Sequence, residues 1–297
     1  MKCRQRWTVA ADGASLAFWD EGEGLPVILT NGYANSTLYW EPLRQRLRQT
    51  HRVLRWDLRG HGRSGAVRDM STMTIAGCAD DLRRVLDAAG VERAILGGFS
   101  MGCQIVLEAW RHFPDRIDGI IPVLGPWGRP FDTLLHPRLG PLVFELYRNV
   151  PAPVWGAMLK FGTLSPAVLL PVHEVAKQLS IVGKNVSFWE MEPFYRHLAQ
   201  LHPPSWYAMG LAAQEHSAKD VLESIDVPTL VVAGGGDRFS PGELGRQISQ
   251  IIEGAELLWL DEATHTGLFD ERERIGEAVE QFLEAVDADS VSDEAVA

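Results

Sequence analysis

The sequence predicts an α/β fold: a mostly parallel, twisted sheet of about eight strands with helices on both faces, plus a helical insertion. Three observations predict it. Short apolar runs alternate with amphipathic segments through residues 1–124. From Gly125 to Ser217 the chain is rich in proline, aromatics and methionine, and no clear strand pattern is visible. The alternating texture then returns over 218–286. These stretches define a core in two parts, 1–124 and 218–286, a helical insertion over 125–217 and an acidic tail over 287–297.

Each element follows from local pattern. Leu16–Trp19 and Val27–Thr30 are apolar enough for strands, and the helix Leu43–Arg48 leads into a third, Val53–Trp56. Thr74–Ala89 reads as a helix because Ile75, Cys78, Ala79, Leu82, Val85 and Leu86 share a stripe, with Asp81, Arg83, Arg84 and Asp87 opposite. Gly90 stops it. Ala94–Leu96 is the next strand, followed by a sharp turn and a helix ending at Trp110, then the strand Ile117–Val123. After the insertion come the strand Val227–Ala233, the helix Gly242–Ile252, the strand Glu256–Trp259 and a closing helix from Arg272 to Val286.

Composition narrows the function. With 297 residues, 46% of them hydrophobic, the chain can bury one large core or a core with an appended unit. A net charge of −11 argues against nucleic acid or an anionic membrane surface as partner, because both demand clustered Lys and Arg. No apolar run is long enough to span a bilayer. The segment Met1–Arg6 carries charge with no apolar stretch behind it, unlike an export signal. Cys3, Cys78 and Cys103 are scattered, giving neither a disulfide framework nor a metal-ligand spacing, and a cytoplasmic location is expected.

The chemistry is carried by Gly98-Phe99-Ser100-Met101-Gly102, which lies between the strand Ala94–Leu96 and a helix. A serine in a strand–turn–helix elbow presents its hydroxyl at the helix N-terminus. A free hydroxyl is a poor nucleophile, so Ser100 needs a base, and that base needs an orienting carboxylate. His265, between the last strand and the last helix, is the candidate base. Asp237, in the turn after the strand ending at Ala233, is the candidate carboxylate. Loops leaving the C-terminal ends of parallel strands converge on one edge, so all three residues are expected there. The main-chain N–H groups of Met101 and of Tyr33, in the turn Asn31-Gly32-Tyr33, are candidates for an oxyanion hole.

Taken together these residues resemble the α/β-hydrolase-fold serine hydrolases over almost the whole chain. Arg55-Trp56-Asp57-Leu58-Arg59-Gly60-His61-Gly62-Arg63-Ser64 is similar to that family's Asp-x-Arg-Gly-x-Gly-x-Ser segment, and Pro228–Gly234 with Asp237 resembles its acid-bearing strand. The resemblance implies that Asp57, Arg59 and His61 shape a loop. It also implies that Ser100 separates this chain from the branches with an aspartate nucleophile, the haloalkane dehalogenases and epoxide hydrolases. Asn31 departs from the histidine many relatives carry before the oxyanion-hole glycine; because the hole uses main chain, the change is expected to alter loop packing or specificity.

The implied reaction is hydrolysis of a lipophilic small or medium carboxylic ester through an acyl-enzyme, with no metal or organic cofactor. Two alternatives stand beside it: a carbon–carbon bond or enol-lactone hydrolase using the same triad, and a ligand receptor on the same fold. The resemblance implies that the insertion over 125–217 forms a cap or lid over the site and carries specificity; in it Trp127 and Phe131 follow the strand ending at Val123 and are the best candidates for lining an apolar pocket.

Overall fold

A computed structural model describes residues 3–162 and 165–294. Met1 and Lys2, at the head of the segment read above for an export signal, lie outside it, as do the last residues of the predicted tail, 295–297. Eight strands form one sheet in the order β1-β2-β4-β3-β5-β6-β7-β8. They are β1 (Arg4–Val9), β2 (Ser15–Glu21), β3 (Pro26–Thr30), β4 (Arg52–Trp56), β5 (Ala94–Phe99), β6 (Ile117–Val123), β7 (Leu230–Gly234) and β8 (Glu256–Leu260). Only β2 runs antiparallel to its neighbours β1 and β4; every other pairing is parallel.

The two faces of the sheet separate by alternation, as a two-residue side-chain period requires. Ile28, Leu96, Ile120 and Val231 join one core with the stripes of α2 (Ile75–Ala89), α3 (Met101–His112) and α9 (Gly242–Ile251). Val27, Ile95, Ile121 and Val232 join the other with α1 (Glu41–Leu47) and α11 (Arg272–Glu294). The central strand β5 is buried throughout, which is why its sequence is an unbroken small and apolar run. Helix α2 is delimited as its sequence dictates: the Thr74 hydroxyl accepts the Gly77 N–H at 2.9 Å, and Gly90 closes it at φ 68°.

Between β6 and β7 the described residues contain five α-helices and no strand: α4 (Gly140–Asn149), α5 (Ala152–Gly162), α6 (Pro166–Gln178), α7 (Phe188–Leu198) and α8 (Pro203–Glu215). A single antiparallel bridge, Gly128 to Ser217, joins the two ends of this insertion. A short α10 (Gly267–Asp270) precedes α11.

Two expectations need correction. Strand β1 was not expected; its burial is mixed, because as an edge strand it packs one face only, and Arg4, Gln5 and Arg6 mask its pattern. The closing helix does not stop at Val286 before a frayed tail but continues to Glu294, since Ala, Asp, Ser and Glu supply neither a Gly nor a Pro to break it.

Candidate active site

Ser100 occupies the turn from β5 into α3 with φ 55° and ψ −122°, left-handed backbone that non-glycine residues rarely adopt. The conformation is held by the Ser100 N–H donating to the Val123 carbonyl at 3.0 Å and the Ser100 carbonyl accepting the Cys103 N–H at 2.9 Å. Strain of this kind, over-determined by strand and helix, presents the hydroxyl above the sheet edge.

The loops after β7 and β8 bring the other two residues to it. His265 Nε2 lies 3.0 Å from Ser100 Oγ, and His265 Nδ1 lies 2.8 Å from Asp237 Oδ2. Asp237 is 4% exposed, and its other oxygen accepts the N–H groups of Phe239 at 2.8 Å and Ser240 at 2.9 Å. With two donors fixing Oδ1, Oδ2 is left to face the imidazole. A carboxylate only accepts, so Nδ1 carries the ring proton and Nε2 faces the serine hydroxyl as the acceptor. Phe239 stacks on the imidazole at 5.2 Å and Phe99 lies tilted against it at 5.1 Å, which limits ring rotation.

Threonines on either side hold the histidine loop. Thr264 donates from its N–H at 3.2 Å and from its hydroxyl at 2.7 Å to Asp270 Oδ2, and its hydroxyl lies 2.9 Å from that of Thr266. The Thr266 hydroxyl also accepts the N–H of Gly183, in the loop between α6 and α7, at 2.8 Å. Burial raises the Asp270 carboxyl above its ordinary range, an effect the two hydrogen bonds from Thr264 oppose.

Gly32 brings the Asn31–Tyr33 turn against the elbow: a Cβ there would stand 2.8 Å from Ser100 Cβ. Asn31 is fully buried and donates from Nδ2 to the Trp56 carbonyl at 2.7 Å, so in this chain it ties the turn to β4. As the first residue of α3, Met101 has a main-chain N–H with no intrahelical acceptor. Asp57 shapes the adjoining loop by accepting the N–H groups of Thr37 at 3.2 Å and Arg63 at 2.8 Å, and Arg59 pairs with Asp81 at 2.6 Å.

The two aromatic candidates for a pocket have different neighbours. Trp127 is half-buried at the foot of the insertion, where its indole N–H reaches Gln247 Oε1 at 3.4 Å and Lys219 sits 5.5 Å over its ring. Neither contact involves Ser100, Asp237 or His265. Phe131 joins an aromatic group with Phe144 and Tyr147, at 5.1 and 5.4 Å. The rings in contact with His265 are Phe99 and Phe239, with Tyr39 stacked on Phe99 at 4.5 Å and Phe194 edge-on to Tyr39 at 5.9 Å. Phe99 could have been found in sequence, since it is the variable residue before the serine. Phe194 is one of the insertion's many aromatics, and Tyr39 gave no signal, because its approach is made by tertiary packing.

Comparison with known proteins agrees with the architecture. The family model described as the alpha/beta hydrolase fold matches residues 26–154. A relative named putative carbamate hydrolase RutD, from Caulobacter sp. (strain K31), is 37% identical over 239 residues, covering 78% of this chain and 80% of that protein. Among solved structures, an esterase from Exiguobacterium antarcticum superposes with a TM-score of 0.75 at 20% identity, over 95% of this chain and 100% of the other. The enol-lactonase from Burkholderia xenovorans LB400 gives 0.70 at 22%, over 94% and 100%. At these identities the structural likenesses speak for the fold. The chain belongs to the alpha/beta hydrolase fold family. It is a hydrolase. No helix among the described residues is long and apolar enough to cross a membrane.

Proposed function

We propose that this hydrolase cleaves small or medium lipophilic carboxylic esters through an acyl-enzyme on Ser100. The observation that carries the reading is the continuous chain Asp237 to His265 to Ser100, at 2.8 and 3.0 Å. His265 Nε2 takes the Ser100 proton as the hydroxyl attacks the ester carbonyl, and Asp237 stabilises the imidazolium that forms. The main-chain N–H groups of Met101 and Tyr33 receive the tetrahedral oxyanion. Collapse breaks the carbonyl–alkoxy bond, and the His265 proton leaves with the alcohol. Water deprotonated by His265 then attacks the acyl carbon, and release of the acid restores Ser100. Tyr39, Phe99 and Phe194 give the neighbourhood of the base an apolar character that suits a lipophilic substituent.

A second reading, carbamate hydrolysis, is favoured by the relative that is 37% identical. The same residues serve it, because a carbamate presents the same carbonyl with nitrogen on one side. A panel of p-nitrophenyl esters of rising chain length, run beside carbamates with ammonia or amine release followed, separates the two.

The shared mechanism has its own test. A fluorophosphonate probe should add to Ser100 alone, located by peptide mass. Ser100→Ala should lose at least about a thousandfold in kcat. A labelled residue other than Ser100, or turnover surviving in Ser100→Ala, would sink the proposal.

A further inference from the structure

We infer that Tyr147, on α4 of the insertion, is a positioning residue that holds the Tyr33 turn through a relay of two phenol hydroxyls. The inference rests on the reading that the Tyr33 main-chain N–H receives the oxyanion.

The relay has a fixed direction. Tyr147 Oη lies 2.8 Å from the main-chain carbonyl of Tyr207 on α8, and a carbonyl can only accept, so the Tyr147 proton points there. Tyr33 Oη lies 2.9 Å from Tyr147 Oη. With the Tyr147 proton already committed, Tyr33 is the donor and Tyr147 the acceptor. Burial raises both phenols above their ordinary values, so both keep their protons.

The surroundings are built to admit this pair. The Trp206 indole stacks on the Tyr33 ring at 5.4 Å and meets the Tyr147 ring edge-on at 5.6 Å. Gly210 of α8 faces both hydroxyls, and a Cβ there would strike Tyr147 Oη and stand 2.9 Å from Tyr33 Oη. An alanine at 210 would therefore push the pair out.

The turn has a reason to need an outside hold. Ala34, next to Tyr33, sits at φ 60°, left-handed backbone that costs a non-glycine residue. Within the turn, the Asn35 N–H reaches the Gly32 carbonyl at a long 3.3 Å. Gly32 in turn abuts Ser100, so a shift of the Tyr33 side chain is transmitted to the proposed oxyanion donor beside the nucleophile. The insertion thereby acts on the reaction step and does not only cover the substrate.

The experiment compares Tyr147→Phe, Tyr33→Phe and the double variant on a p-nitrophenyl ester, with the phosphonylation rate of Ser100 and Tm measured on each. Tyr147→Phe leaves the hydroxyl of the half-buried Tyr33 without its acceptor, and it should lower kcat and the phosphonylation rate by about tenfold. KM should stay within about twofold, the signature of an interaction felt at the transition state. Tyr33→Phe leaves Tyr147 bonded to the Tyr207 carbonyl and should cost less. The double variant should recover to the Tyr33→Phe level, because no unpaired phenol donor remains. A drop in Tm with kcat unchanged, a loss confined to KM, or multiplying losses in the double variant overturns the inference. If wild-type protein takes no label at Ser100, the hydrolytic reading falls and this inference with it; if wild type is labelled and Tyr147→Phe is labelled equally fast, only this inference falls.

Discussion

At the scale of single residues, the site depends on which atoms are left free once others are satisfied. Asp237 has one oxygen fixed by the Phe239 and Ser240 N–H groups, and its other oxygen, Oδ2, faces His265 Nδ1. Asp237→Asn keeps the shape but offers the imidazole an amide N–H or a neutral carbonyl. It therefore favours the wrong tautomer and withdraws the charge that stabilises an imidazolium. We expect kcat on an activated ester to fall by about 10³–10⁴ while Tm stays within a few degrees. A kcat loss under tenfold would remove Asp237 from the proposed triad. These three residues were legible in sequence because each stands in a loop at the C-terminal end of a strand and the order of those loops is set by the chain. Tyr147 was not legible: its place beside Tyr33, 114 positions away, comes from how α4 and α8 pack over the sheet edge, and no local pattern encodes that.

At the scale of elements, most core strands and helices could be read to within about three residues at each end because their apolar periods are regular, whereas β1 and the far end of α11 could not. Strand β3 spans Pro26–Thr30 where Val27–Thr30 was expected, and α2 begins after its Thr74 cap. The insertion resisted the same reading. Its helices carry Pro171 and Pro193 in their interiors and expose Leu142, Leu146, Val172 and Trp189, so the apolar stripe that marks a packed helix is blurred. One tie between this region and the active edge is polar, and it can be tested. The Thr266 hydroxyl accepts the Gly183 N–H and meets the Thr264 hydroxyl, linking the α6–α7 loop to the residues flanking His265. Thr266→Val has nearly the same shape but leaves a buried N–H unpaired, at a cost of about 1–3 kcal/mol. Urea unfolding should show that loss, together with a fall in kcat as the histidine loop loosens. Unchanged stability would mean that the Gly183 N–H finds another acceptor and that the link is dispensable.

At the scale of the whole molecule, the insertion and the core also meet across two buried histidines, and their titration links pH to stability. His61, in the loop after β4, is 1% exposed, and His197, on α7, is 5% exposed; their rings lie 6.1 Å apart. Burial lowers His61 to about 3, with His197 adding to the effect and a hydrogen bond to the Arg59 carbonyl opposing it. Burial lowers His197 to about 4 against a contact with the Asn35 main chain. Both are neutral in the folded protein across the range where an unfolded chain, titrating near its ordinary value of about 6.5, takes up protons. Between about pH 6.5 and 4 the unfolded state binds more protons at these two sites, so their contribution to stability is full above 6.5 and is lost as pH falls. Asp57 acts with the opposite sign. Burial raises it to about 6, so the folded state holds a proton there that the unfolded state releases, and its contribution is lost as pH rises through 6. The histidine part can be isolated by difference. A double His61→Gln, His197→Gln variant leaves Asp57 in place and should lose less stability than wild type on going from pH 7 to pH 5, by up to about 1.4 kcal/mol per pH unit for each histidine removed. Urea unfolding of both proteins at the two pH values measures the difference directly. Parallel pH dependences would show that the seam between core and insertion admits protons freely, whereas convergence of the two curves on acidification would make it the place where the fold first yields to acid.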